Sequence, residues 1–101
     1  MRIALFSVLA FLVVACAARP PVQEMSDARQ AVAAAVDAGA KEHYPDLLDE
    51  ATLRLQRAEK NMRSGVYSLA KRDAAVAKDL AIDALLSTRR EVSGEIDADA
   101  P

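Results

Sequence analysis

The chain has 101 residues, a formal net charge of −2 and one cysteine. This length allows one small domain, and the charge offers no electrostatic case for nucleic acid as a partner. A single cysteine excludes a disulfide within the chain and a metal site built on several cysteines.

Residues 1–15 have the features of a secretory signal peptide. Met1 and Arg2 supply a short positive end, and an uncharged apolar run follows at residues 3–15. These thirteen residues would span about 20 Å as a helix, less than the hydrocarbon core of a bilayer, which is about 30 Å thick. A cleavable signal therefore fits the segment better than a transmembrane anchor does.

The residues around Cys16 resemble the lipobox of bacterial lipoproteins. Val13, Val14 and Ala15 place an aliphatic residue three positions before the cysteine and a small residue directly before it. In that family the cysteine is lipidated on sulfur, the peptide is cut in front of it, and the new amino group is acylated. The resemblance implies that the three preceding residues direct processing and that Cys16 carries the lipid. The alternative is a chance cysteine at the end of an ordinary signal.

The lipid on Cys16 would be the only group attached to the protein, and several acyl chains would hold it stably in a membrane. Ala17 follows, where an aspartate would resemble the inner-membrane retention signal of enteric bacteria. We therefore expect a cell-envelope protein that is anchored in the outer membrane and faces the periplasm. Residues 16–21 would form the lipidated start and a short tether.

Apolar residues spaced by three and four positions predict three helices in the remainder of the chain. The predicted helices span residues 22–38, 45–64 and 66–92. Gly39 would end the first helix, and Pro45 would begin the second after a loop. The acidic segment 93–101 is predicted to form a disordered tail. The fold class is therefore all-α, with a helical domain over residues 22–92.

Short connections make neighbouring helices antiparallel, so the sequence predicts an up-down-up three-helix hairpin with the second helix in the middle. Glu50 with Arg54, and Glu59 with Arg63, are i,i+4 pairs that would support the second helix. The third helix carries a regular stripe of small residues with one tyrosine: Tyr67, Ala70, Ala74, Ala77, Ala81 and Ala84. Alanine has the highest helix propensity and lets helices approach closely.

The end of the third helix is apolar on more than one side because of Ile82, Leu85 and Leu86. These residues either pack locally under the loop that contains Tyr44, or they form a surface for a protein partner or a second copy. They are the candidate interaction surface.

A punctuated pattern of glycine, tyrosine and alanine runs through this region. Its members are Gly39, Ala40, Tyr44, Pro45, Leu48, Ala51, Leu55 and Ala58, then Gly65, Tyr67, Ala70, Ala74, Ala77 and Ala81. The pattern is similar to that of small alanine-rich bacterial lipoproteins in the domain-of-unknown-function 4398 family. The resemblance implies a helical, periplasm-facing envelope protein with no assigned activity, and it transfers no catalytic residues.

The residue types needed for catalysis are sparse. His43 is the only histidine, so no set of nucleophile, base and orienting group can be assembled if Cys16 is lipidated. There is no glycine-rich phosphate loop and no cluster of metal ligands. We therefore expect no catalytic, cofactor-binding or metal-binding residues and no small-molecule substrate.

These observations predict a non-enzymatic lipoprotein that acts as a structural or adaptor module in the bacterial cell envelope. One alternative is a self-associating structural lipoprotein, like the trimeric murein lipoprotein. That protein ends in a lysine used for attachment to peptidoglycan, whereas this chain ends in DADAP. The other alternative is an inhibitor or accessory subunit of an envelope enzyme.

Overall fold

The computed structural model describes residues 19–98. Within this range the chain is all-α, as predicted, with no strand. The helices are α1 (Val22–Ala38), α2 (Ala40–His43), α3 (Pro45–Arg63) and α4 (Tyr67–Ala98). The three long helices correspond to the three that the sequence predicts. The predicted signal segment and residues 16–18 lie outside the described residues.

Helix α1 has the predicted bounds. It follows Pro20 and Pro21, and the Met25 N–H donates to the Pro21 carbonyl over 3.1 Å. It ends because Gly39 adopts a left-handed conformation with φ of 98°, from which its N–H reaches the carbonyls of Ala35 and Val36. Glycine takes this conformation without the steric cost that a Cβ would add.

The sequence predicts a loop between α1 and α3, and this prediction is wrong. Residues 40–43 instead form a single helical turn, α2. The Gly39 carbonyl accepts from the N–H groups of Glu42 and His43, and the Ala40 carbonyl accepts from the Tyr44 N–H over 2.8 Å. Ala40 is fully buried, so packing stabilises a turn too short to be stable alone.

Helix α3 ends in a Schellman motif one residue earlier than predicted. Gly65 has φ of 77°, the Val66 N–H donates to the Asn61 carbonyl, and the Gly65 N–H donates to the Met62 carbonyl. This arrangement satisfies carbonyls that a helix end leaves without partners.

Helix α4 is longer than predicted: it runs to Ala98 and not to Val92, so residues 93–98 of the predicted disordered tail are helical. Gly94 does not take a left-handed conformation, and no proline precedes residue 101 in this stretch. Nothing in the local sequence therefore forces the backbone hydrogen bonding to stop at residue 92. Residues 99–101 lie outside the described part of the chain.

The central helix is α4, and the predicted middle position of the second long helix is wrong. Helix α4 packs along both α1 and α3, whereas α1 and α3 meet over a much smaller part of their lengths. The reason is the predicted stripe on α4, whose five alanines are fully buried: Ala70, Ala74, Ala77, Ala81 and Ala84. Methyl side chains let two helices approach α4 from adjacent sides.

The core consists of two clusters along the bundle. One contains Met25, Ala28, Ala58, Ala74 and Ala77. The other contains Ala35, Ala40, Leu48, Ala51, Ala81 and Ala84. The members of both clusters come from α1–α4.

Candidate functional site

The predicted processing residues Val13, Val14 and Ala15 and the predicted lipid carrier Cys16 lie outside the described residues. The described residues begin three positions later, at Arg19. Pro21 is buried, so the chain is held against the bundle immediately before α1 starts. A predicted anchor at Cys16 would therefore connect to a point that is fixed in the fold.

The structure divides the candidate interaction surface. Leu85 packs against the core cluster that contains Ala81 and Ala84, and Ile82 is half-buried. Leu86 is 46% exposed, because successive residues on a helix project about 100° apart around its axis. Local packing thus accounts for Leu85, and Leu86 is the member of the set that is most available to a partner.

A groove between α1 and α4 lies close to this end of the bundle. Its volume is about 540 Å³, and it is lined by Ala34, Asp37, Ala38, Arg89, Val92 and Ser93. The lining combines one carboxylate, one guanidinium and small side chains. Such a groove can accept a side chain from a protein partner, but it offers no set of groups for chemistry.

Tyr44 closes the same end of the bundle. It packs against the core cluster that contains Ala81 and Ala84. A hydrogen bond to the Glu91 carboxylate, with partial burial and charge repulsion, raises the pKa of its phenol. The His43 Nδ1 atom lies 3.9 Å from a Glu91 oxygen, which is beyond hydrogen-bond length. Glu91 of α4 thus lies near both His43 and Tyr44 at this end of the bundle.

A polar seam joins α3 to α4 nearer the other end. The Asp73 side chain is 7% exposed and lies 3.5 Å from the Arg54 guanidinium. It also accepts a hydrogen bond from the Asn61 amide over 3.0 Å. Because a buried carboxylate is costly without partners, these two contacts explain how Asp73 is accommodated.

The seam opens into a basic groove, a cleft of about 240 Å³ between α3 and α4. The groove is lined by Arg57, Lys60, Asn61, Leu69, Arg72 and Asp73. The sequence pattern alone did not indicate this groove. Two of its cations, Arg57 and Lys60, are spaced by three residues on one helix, which is a signal of a shared face. Its third cation, Arg72, joins them only through tertiary packing.

Neither predicted i,i+4 ion pair forms in residues 19–98. Arg54 contacts Asp73 on another helix, and Glu59 contacts Arg29 of α1 over 3.3 Å. Each pairing connects two helices, so these charges contribute to the tertiary arrangement and not only to helix α3.

Among residues 19–98, no group of three His, Cys, Asp or Glu side chains is placed to hold a metal ion. None of the helices between residues 22 and 98 is both long and apolar enough to span a bilayer. Asp73 and Glu59 make contacts that join helices, and the grooves are features suited to binding.

A protein-family model described as a domain of unknown function (DUF4398) matches residues 23–100. The match covers all of α1 except its first residue, and all of α2, α3 and α4. No curated protein and no solved structure matches the chain.

Proposed function

The chain belongs to the DUF4398 family, and from this premise we propose that it is a lipid-anchored, non-enzymatic structural or adaptor module of the bacterial cell envelope. In this proposal Cys16 carries the lipid, residues 17–21 form the tether, and the helical bundle faces the periplasm from the outer membrane.

The observation that carries the proposal is the lipobox-like stretch Val13–Cys16 placed directly before a complete helical unit. Val22 lies six positions after Cys16, and a chain of this length spans at most about 20 Å when extended. An anchored cysteine would keep the start of α1 within that distance of the membrane surface. A short tether of this kind suits a protein whose role depends on its position.

The contacts of the polar side chains support a structural role. Asp73 is engaged by Arg54 and Asn61, and Glu59 is engaged by Arg29. Each of these acids joins two helices. Exposed Leu86 and the groove lined by Arg89 and Val92 supply a face for a protein partner.

The anchor is tested by labelling cells that express the protein with radioactive palmitate. We expect labelling and membrane fractionation of the parent chain, and loss of both the label and the processed form in Cys16→Ser. Ala18→Ser introduces the same side chain two residues later and should leave labelling intact. Equal labelling of the parent and Cys16→Ser would overturn the anchor.

The adaptor role is tested by crosslinking in intact envelopes and recovery of the protein in detergent. We expect one defined partner whose recovery falls in Leu86→Asp and is unchanged in Leu53→Asp, since Leu53 is exposed to a similar degree on another helix. Recovery of further copies of this chain in place of a different protein would support the self-associating alternative. Recovery of neither would contradict the adaptor role.

A further inference from the structure

Positive charge is concentrated at the end of the bundle where α1 begins. The part of α3 and α4 at this end, residues 55–77, contains five basic and two acidic residues. The opposite part, residues 40–54 and 78–98, contains five basic and nine acidic residues. The two ends of the bundle therefore differ in charge, although the net charge of the whole chain is only −2.

The contacts at this end show that it adjoins the predicted tether. The Lys71 ammonium of α4 lies 3.8 Å from Glu24 in the first turn of α1. Residues 19–24 and the first residues of α4 line a common cleft of about 720 Å³. The loop between α3 and α4 therefore lies on the same side of the molecule as the segment that leads back to Cys16.

The cations at this end are available to an external anion. Within residues 19–98, none of Arg57, Lys60, Arg63 and Arg72 forms an ion pair, and all four are exposed. Asp73, the acid that lines the basic groove, is already engaged by Arg54. The groove therefore presents uncompensated positive charge to its surroundings.

Exposed apolar side chains lie among these cations. Val66 in the loop is 40% exposed, and Leu69, which also lines the basic groove, is 43% exposed. Binding of a soluble polyphosphate depends on charge. A bilayer interface also accepts apolar side chains near its headgroups. We name these residues the tether-side surface: Arg57, Lys60, Arg63, Val66, Leu69 and Arg72.

We propose that the tether-side surface docks on anionic phospholipid headgroups and holds the bundle against the bilayer. The cations lie within a Debye length of headgroups in this arrangement, where each basic residue adds to binding. The proposed anchor explains why a membrane is close to this end. The surface itself is a property of residues 19–98.

The test uses residues 19–101, which lack the anchor and contain all four helices and both core clusters. A helical circular dichroism spectrum with a cooperative thermal transition first establishes that this segment is folded. Co-sedimentation is measured with vesicles of phosphatidylcholine alone and of phosphatidylcholine mixed with phosphatidylglycerol. We expect binding only to the mixed vesicles, and we expect it to weaken as added salt shortens the Debye length from about 30 Å to about 8 Å.

Two matched pairs of variants locate the surface. Combined Arg57→Glu, Lys60→Glu and Arg72→Glu should weaken vesicle binding about tenfold or more. The same charge change at Lys41, Arg89 and Arg90 should leave binding within about twofold at the higher salt concentration, because those residues lie at the opposite end of the bundle and the Debye length is then only about 8 Å. Leu69→Ser should weaken binding, and Leu53→Ser should not. Circular dichroism checks that each variant remains folded.

Absence of binding to the mixed vesicles would overturn the inference and would leave the palmitate test of the anchor unaffected. Equal loss in both charge-reversal variants would also overturn it. Binding to soluble polyphosphate as tight as to vesicles, with no effect of Leu69→Ser, would assign the surface to an anionic polymer.

Discussion

At the scale of single residues, glycines that look alike in the sequence have opposite roles. Gly39 has φ of 98° and ends α1, whereas Gly94 lies within α4 without a left-handed conformation. A Cβ at Gly39 would lie 3.7 Å from the nearest side-chain atom, and one at Gly94 would meet no atom within 4 Å. Backbone conformation, and not space, therefore distinguishes the two positions.

We expect Gly39→Ala to lower the free energy of unfolding by about 1–2 kcal/mol, because alanine is strained in the left-handed region. Gly94→Ala is the matched change and should not lower stability, since alanine is favoured over glycine within a helix. Urea unfolding followed by circular dichroism measures both. Equal effects of the two substitutions would contradict this assignment.

The ionisation of Tyr44 is coupled to folding. Its hydrogen bond to Glu91 raises its pKa in the folded state. The folded state therefore holds the phenolic proton more tightly than the unfolded chain does. The corresponding stability is present below the unfolded pKa, about 10, and is lost as the pH rises through the folded pKa.

We expect the parent chain to be more stable than Tyr44→Phe at neutral pH, with the difference falling as the pH rises above about 10. Urea unfolding at increasing pH measures this difference. Tyr67→Phe controls for loss of a phenol at the other end of the bundle. A difference that stays constant across the alkaline range would show that the Glu91 contact does not stabilise the fold.

At the scale of elements, the alanine stripe of α4 determines how the helices assemble. Five alanines on this helix are fully buried, so a larger side chain at any of them would separate α4 from α1 or α3. Thr88 extends the buried face without disturbing it, because its hydroxyl donates to the Ala84 carbonyl over 2.7 Å. The stripe is therefore a constraint on size as well as on polarity.

We expect Ala77→Leu to lower the free energy of unfolding by about 1–3 kcal/mol, because a well-packed core does not accept the added volume. Ala75 is exposed on the same helix, and Ala75→Leu should change stability by no more than about 0.5 kcal/mol. Thermal unfolding of the two variants gives the comparison. A stable, monomeric Ala77→Leu protein would mean that the interface can adjust.

At the scale of the whole molecule, the bundle has two different ends. Helix α4 extends past its partners at the end that contains Tyr44, and its residues 93–96 are exposed. The other end adjoins the predicted tether and carries the tether-side surface. This difference between the ends is consistent with a protein that is held at one end and exposes the other end to a partner.

We expect Leu86→Asp to leave the free energy of unfolding within about 0.5 kcal/mol of the parent, because the side chain is largely solvated. Leu85→Asp should cost more than about 2 kcal/mol, because it would place a charge against the core. Analytical ultracentrifugation with thermal unfolding follows both changes. Comparable destabilisation by the two substitutions would mean that Leu86 is also a packing residue.

Much of the fold could be predicted from local patterns. The 3-4 spacing around Met25 and Ala28, together with Gly39, is sufficient to predict α1 to the residue. The candidate surface was less predictable, since Ile82, Leu85 and Leu86 are equally apolar and differ only in what lies opposite them. The basic groove was not predicted, because Arg72 is far along the chain from Arg57 and Lys60.

By itself the sequence determined the helical class, the alanine stripe and the glycines that end α1 and α3, because these depend on contacts between residues a few positions apart. The proposed anchor at Cys16 also rests on sequence alone. Only the tertiary structure decided that α4 is central, that Arg54 pairs with Asp73, and that the cations of α3 and α4 share one groove. Such features depend on how helices pack, and the spacing along one helix does not contain that information.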